Sequence, residues 1–135
     1  MKLVLIVRGL AKARRQQFID EIKETYEVDD FVQIDTPAPK DKVDKETLKA
    51  MNVEAFNAFK GAVALGKDLI IVNNANVKRY HYFQYLDYAQ MHDYLAVVAI
   101  VPWNDMSDRE LVSDGGNEKP AAIYKKHRSE FQWEI

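Results

Sequence analysis

The stretch "VRGLAKARRQQF", residues 7–18, decides how this chain is read. It follows an apolar run, Leu3–Val7, with the composition of a buried strand, and it leads into a helical pattern. Gly9 stands where a phosphate-binding loop of the form G-x-x-x-x-G-K-[ST] would begin. Arg14 then falls on the second glycine, Arg15 on the lysine and Gln16 on the hydroxyl residue. "AKARRQQF" contains good helix formers and no Gly or Pro, so the first helix is expected to begin early and overwrite the loop. That start puts Lys12, Arg14 and Arg15 at the positive end of a helix dipole. The placement is unfavourable unless an anion or an acidic side chain sits there.

Outward from this stretch, strands alternate with helices. Helix 1 spans about Ala11–Tyr26, with Phe18, Ile22 and Tyr26 at i, i+4 and i+8 and Ile19 beside them. A short strand, Phe31–Ile34, follows an acidic turn. Residues 35–42, "DTPAPKDK", read as a loop, because two prolines remove donors and push their predecessors to extended geometry. Helix 2 covers about Lys45–Leu65, with Asp44 suited to the N-cap and Gly66 to the left-handed residue past the end. "LIIV", 69–72, is apolar throughout, as in a strand covered on both faces. Helix 3 is expected from Val77 to about His92 with Asn76 as its N-cap. A fourth strand, "AVVAIV" (96–101), ends at Pro102. A loop with Asp114, Gly115 and Gly116 follows, then a last helix over about Pro120–Phe131. This alternation predicts an α/β fold with a mostly parallel sheet and right-handed crossovers. Neither an internal repeat nor a low-complexity tract divides the chain, so residues 1–135 are expected to form one domain.

The 135 residues include no Cys, which excludes disulfides, thiol catalysis and Cys-ligated zinc. The apolar run before Arg8 is too short for a signal peptide. No stretch approaches the roughly 20 apolar residues of a membrane span. A cytoplasmic chain without a membrane segment is the expectation. The net charge is only −2, but it is unevenly placed. Residues 1–15 hold Lys2, Arg8, Lys12, Arg14 and Arg15 and no acid, whereas 20–30 hold Asp20, Glu21, Glu24, Glu27, Asp29 and Asp30 against Lys23. The basic end either pairs with the protein's own acids and solvent or holds a phosphate or nucleic-acid backbone.

Four segments together resemble the small P-loop kinase-like proteins related to polynucleotide kinase 5′-kinase domains, over nearly the whole chain. Where that family carries a strand, "RGLPGSGKST" and a helix, this chain has "RGLAKARRQQ" without a gap. An apolar strand ending in "DNTN" corresponds to "IIVNNAN", 70–76. The following R-[WY]-x4-Y-x3-A-x2-H-x-Y helix is matched by Arg79, Tyr80, Tyr85, Ala89, His92 and Tyr94. The family's lid, roughly "D-x-x-EL-x-RRN-x-H-x-VP", corresponds to "DRELVSDGGNEKP" (108–120), which keeps Glu110, Leu111 and Pro120. The resemblance implies a three-layer α/β P-loop-kinase-like domain. Its relatives occur in phages and in cells, so the compartment it implies is the cytoplasm, that of the host for a viral chain.

The departures fall where the resemblance places the chemistry. Lys12 and Arg14 take glycine positions at which backbone N–H groups would turn toward phosphate. Arg15 keeps a charge but not a compact ammonium. Gln16 replaces the hydroxyl that would meet Mg²⁺, Asn73 replaces the acid of "DNTN", and Ser113 and Asp114 replace the lid arginines. Gly9, Lys12, Arg14, Arg15, Gln16, Asn73 and Asn76 are therefore read as remnants of a phosphate site. Phosphoryl transfer is catalysed almost entirely by positioning and electrostatics, and these parts are lost together. The leading expectation is a pseudoenzyme without catalytic residues, cofactor or metal, acting by binding another macromolecule, foremost a protein or a second copy of itself. The alternatives are an active nucleotide or polynucleotide kinase with an atypical loop, and non-catalytic binding of nucleic acid or phosphate at the basic end.

Helix 3 adds a surface expectation. Tyr80, Tyr82, Phe83, Tyr85 and Tyr88 spread over most of a helix circumference, so one buried face does not accept them all. Tyr80, Tyr82, Tyr85 and Tyr88 are thus the candidate interaction face, because aromatic residues anchor interfaces. His81, His92 and His127 show no metal-ligand spacing, and Ser107, Ser113 and Ser129 lie in no nucleophile motif. The tail places Phe131, Trp133 and Ile135 on alternate positions and is expected to dock on the body.

Overall fold

The computed structural model of this protein describes residues 2–37 and 43–134. β1 (Leu3–Arg8), β2 (Phe31–Asp35), β3 (Leu69–Asn73) and β4 (Leu95–Ile100) form an all-parallel sheet in the order β2-β3-β1-β4. The helices are α1 (Lys12–Thr25), α2 (Lys45–Ala64), α3 (Phe83–Met91), α4 (Asp108–Asp114) and α5 (Ala121–Glu130). The expected α/β class with three layers and a parallel sheet is what the chain adopts. Positions 38–42 of the loop expected over 35–42, and Ile135 of the tail, lie outside the described residues.

Residue alternation assigns the layers. On one face Leu5, Val7, Leu69 and Ile71 pack against Ile19 of α1. On the other, Val4, Ile6, Ile70 and Val72 meet Phe59 and Val63 of α2 and Tyr85 and Ala89 of α3. A third cluster, with Leu10, Val77, Trp103, Leu111, Tyr124 and Phe131, sits beyond the carboxyl ends of the central strands and ties α4, α5 and the tail to the sheet. The start and end signals of α2 operate as expected. Asp44 accepts the Thr47 N–H at 2.6 Å, and Gly66 lies at φ 69°.

Two stretches differ from expectation. Helix 3 does not begin at Val77, and Asn76 is not its N-cap. Asn76 is left-handed (φ 46°) and buried, and its amide donates to the Val7 carbonyl at 2.9 Å. The buried Arg8 guanidinium meanwhile donates to the carbonyls of Asn76 and Val77, at 2.8 and 3.2 Å. Both carbonyls are therefore taken before a helix can use them. Only a 3₁₀ turn, Arg79–His81, precedes α3. The second difference is α4, which lies in a region expected to be loop. Ser107 and Glu110 form a reciprocal capping box there, through the "SDRE" sequence that specifies one.

The tail docks as expected. Gln132 donates its N–H to the Val77 carbonyl at 2.8 Å and accepts the Arg79 N–H at 2.7 Å through its side chain. Arg8 donates to the Gln132 carbonyl and lies over the rings of Tyr82 and Phe131, 4.7 and 4.5 Å from their centres. Trp133 stacks on Trp103 at 4.7 Å.

Candidate functional site

A cleft of about 540 Å³ opens where β1, β2 and β3 end, the position at which parallel α/β sheets place their ligands. α1 begins at Lys12, so the helix does overwrite the loop. Its N-cap is Ala11, which has no capping oxygen, and its first turn contains no acid. The missing cap comes from the far side of the cleft. Asp114, at the end of α4, accepts the Ala13 N–H through Oδ2 at 2.9 Å. A carboxylate of the chain itself thus occupies the anion position at the helix N-terminus.

The cations of this end are paired in the same way. Arg14 makes a two-pronged contact with Asp105, at 2.8 and 3.1 Å, and reaches the Pro102 carbonyl at 3.1 Å. This pairing holds the Asp105 carboxyl below its usual range. Lys12 meets Glu118 at 3.3 Å. Arg15 turns inward and is buried, with Nε donating to Asn73 Oδ1 at 3.0 Å and Nη1 to the Gly9 carbonyl. Burial lowers its pKa to about 10, against the pull of Asp114, Tyr124 and Asp35, so it remains charged at neutral pH. Lys12 and Arg14 are thus paired with the chain's own acids, while Arg15 is held by neutral acceptors.

From Arg15 a polar chain crosses the cleft floor. Asn73 donates to Asp35 at 2.9 Å, Gln33 donates to both Asp35 and Gln16 at 2.9 Å, and Gln16 donates to Asp20 at 3.0 Å. Gln16 is thereby held by amide and carboxylate partners. On the opposite wall Lys119 has no hydrogen-bond partner among the described residues, and burial with Arg15 and Lys12 nearby lowers its pKa. Burial likewise lowers the pKa of His127, with Lys119 reinforcing it.

Of the expected phosphate-site remnants, Lys12, Arg15, Gln16 and Asn73 do line one cleft. Gly9 lies beneath Arg15. It sits at φ 140°, its N–H donates to the Ala75 carbonyl at 3.1 Å, and a Cβ there would strike the Val101 carbonyl. Its φ and its close approach to Val101 together require this glycine. Arg14 points away to Asp105, and Asn76 is buried against β1. Asp114, Glu118, Lys119, Tyr124 and His127 also line the cleft, beyond the residues expected from the sequence. For Asp114, Glu118 and Lys119 the signal is the mixture of charges in "DGGNEK", 114–119; Tyr124 and His127 carry none.

The aromatic face requires correction. Tyr82 and Tyr85 are buried in the core, where Tyr85 packs edge-on against Phe56 and Phe59. Tyr88 is half-buried between Phe56, Phe59 and His92. Only Tyr80, 72% exposed, and the neighbouring Phe83 remain at the surface. Residues 77–82 are not α-helical, so positions 80 and 82 follow a different geometry from 85 and 88, and the helical spacing does not apply to them.

Among the described residues no cluster of His, Asp and Glu is arranged to hold a metal ion, and no helix is long and apolar enough to cross a membrane. Compared with models of protein families and with curated proteins, the sequence matches none.

Proposed function

We propose that this chain is a non-catalytic, kinase-like domain that acts by binding another macromolecule, a protein. The observation that carries the first half is the bond from Ala13 N–H to Asp114. A kinase of this kind needs that helix N-terminus free for a phosphate. Here a carboxylate fills it, and an entering phosphate group would have to displace Asp114 from the Ala13 N–H. Lys12, Arg14 and Arg15 already have partners, so they offer little to a nucleic-acid backbone without breaking internal pairs. The half that concerns protein binding is supported by exposed apolar side chains away from the cleft: Tyr80, Phe83, Leu95 and Val97.

Calorimetric titration with ATP·Mg²⁺ at millimolar concentration tests the reading. No saturable heat is expected. Saturable binding near one nucleotide per chain would restore the kinase alternative.

A further inference from the structure

We propose that β4 is the interface of a symmetric homodimer, in which the open edges of two copies pair antiparallel into one continuous sheet. This deepens the binding reading above, on which it rests, by naming a second copy of the chain as the partner.

β4 pairs on one side only, with β1, and ends the sheet. The Leu95 and Val101 N–H groups donate to the carbonyls of Lys2 and Arg8, at 3.0 and 2.8 Å. Alternate residues of a strand point their backbone groups to opposite sides. The N–H and C=O groups of Ala96, Val98 and Ile100 therefore face outward, and no group among the described residues takes them. An extended row of unpaired donors and acceptors recognises another strand.

Natural edges that remain single are guarded by Lys, Pro, bulges or inward charges. This one is not. From Tyr94 to Val101 the sequence is "YLAVVAIV", with neither a charge nor a proline, and the register with β1 runs without a bulge. Its side chains are also uncovered on the α1 side, where Leu95 is 54% and Val97 41% exposed. Leu95, Val97 and Ala99 share the face on which α1 covers Leu5 and Val7; Ala99 reaches that cluster, whereas Leu95 and Val97 are left open.

The edge is complementary to itself. A two-fold axis normal to the sheet at Val97 keeps the α1 faces of both copies on one side and sets Val97 against its own mate. Leu95 of one copy then lies opposite Ala99 of the other, a large residue against a small one. Ala96 lies opposite Val98, so the outward backbone groups of the two copies meet. No like charges are brought together, because the strand carries none. A foreign strand would have to supply this pattern, whereas a second copy supplies it by symmetry.

The chain lacks Cys, so a single introduced thiol reports the register without background. Val97 would be a non-hydrogen-bonded pair on the axis with Cα atoms about 4.5 Å apart, within disulfide reach. Leu95 would lie roughly 13 Å from its own mate. Val97→Cys is expected to give a cross-linked dimer under mild oxidation and Leu95→Cys is not. Sedimentation velocity at tens of micromolar is expected to give twice the 15.6-kDa mass for the unmodified chain. The mass should fall to one chain for Val97→Lys, which places a charge against its own image at an already exposed position. A monomeric unmodified chain, a Val97→Lys variant that stays dimeric, or cross-linking at Leu95 but not at Val97 would overturn the proposal. The two readings fail separately. ATP·Mg²⁺ binding by a dimer would remove the non-catalytic reading alone, and a monomer that binds no nucleotide would remove the dimer alone.

Discussion

Replacing Asp114 with Ala should destabilise the protein, and phosphate should restore part of the loss. Oδ2 of Asp114 accepts the Ala13 N–H at 2.9 Å, and Ala11, the local N-cap residue, has no side-chain acceptor to take over. Removing a capping oxygen costs about 1 kcal/mol. Removing a negative charge from a helix N-terminus adds about 0.3–1 kcal/mol. Lys12 and Arg14 in the same turn have carboxylate partners of their own, Glu118 and Asp105, so the full range of the charge contribution is kept. The sum is about 1–2 kcal/mol, or about 4–8 °C in melting temperature for a domain of this size. Melts would be recorded by circular dichroism in chloride and in phosphate at matched ionic strength. Phosphate raises the stability of many proteins by exclusion from their surfaces, so the informative quantity is the difference between variant and parent. The variant should gain more, because an inorganic anion can enter the vacated position. Asp114→Asn, which keeps an acceptor but not the charge, should fall between the two. A variant melting within 1 °C of the parent, or gaining no more than the parent from phosphate, would refute the assignment of Asp114 as the helix's counter-charge.

Other consequences are open to simpler tests. Arg8→Met should cost about 3 kcal/mol, since the carbonyls of Asn76 and Gln132 lose their donor in one step and that of Val77 keeps only the Gln132 N–H. The tail should loosen with it, visible as a red shift of Trp103 and Trp133 emission in the still-folded variant. Stability should fall with acid in two stages. Burial lowers the pKa of His81 and His127, so the unfolded chain protonates first, and the stability they confer is complete above about pH 6.5 and lost as pH drops through their folded values. His81 adds a direct reason, because its Nδ1 accepts the Lys78 N–H and does so only when unprotonated. The carboxyls of Asp30, Asp44, Asp105 and Glu110 are lowered by Lys67, Thr47, Arg14 and Ser107 respectively, so their contribution disappears only below about pH 4. Melts across pH 8–3 should show both stages, with the first flattened in a His81→Gln, His127→Gln variant.

Most of the fold was legible because it rests on local signals. Apolar strands such as "LIIV" and the cap and stop at Asp44 and Gly66 depend on near neighbours in sequence. What was misread depends on distant ones. Helix 3 starts late because Arg8, far upstream, takes the carbonyls of Asn76 and Val77, and nothing near residue 77 announces that demand. Tyr82 then falls into the core, and the aromatic face reduces to Tyr80 and Phe83. α4 differs in kind, since its capping box is local and is written in "SDRE".

The site follows the same division, and its two halves explain each other. Set against the kinase-like resemblance, each departure around the cleft looks like a loss when taken singly: cations where that pattern has glycine, an acid where it has a cation. In three dimensions they form pairs, Arg14 with Asp105, Lys12 with Glu118, and the helix N-terminus with Asp114. Cations placed at a helix N-terminus are unfavourable alone, and an acid facing an empty anion site would be an idle charge. Together they offset one another across the end of the sheet. An excess of Lys and Arg near Gly9 and of Asp and Glu around residues 105–118 could therefore be read in sequence as an exchange of charge across a cleft. Recognising it required knowing that the two segments meet, and that contact is made by the fold rather than by either stretch of chain.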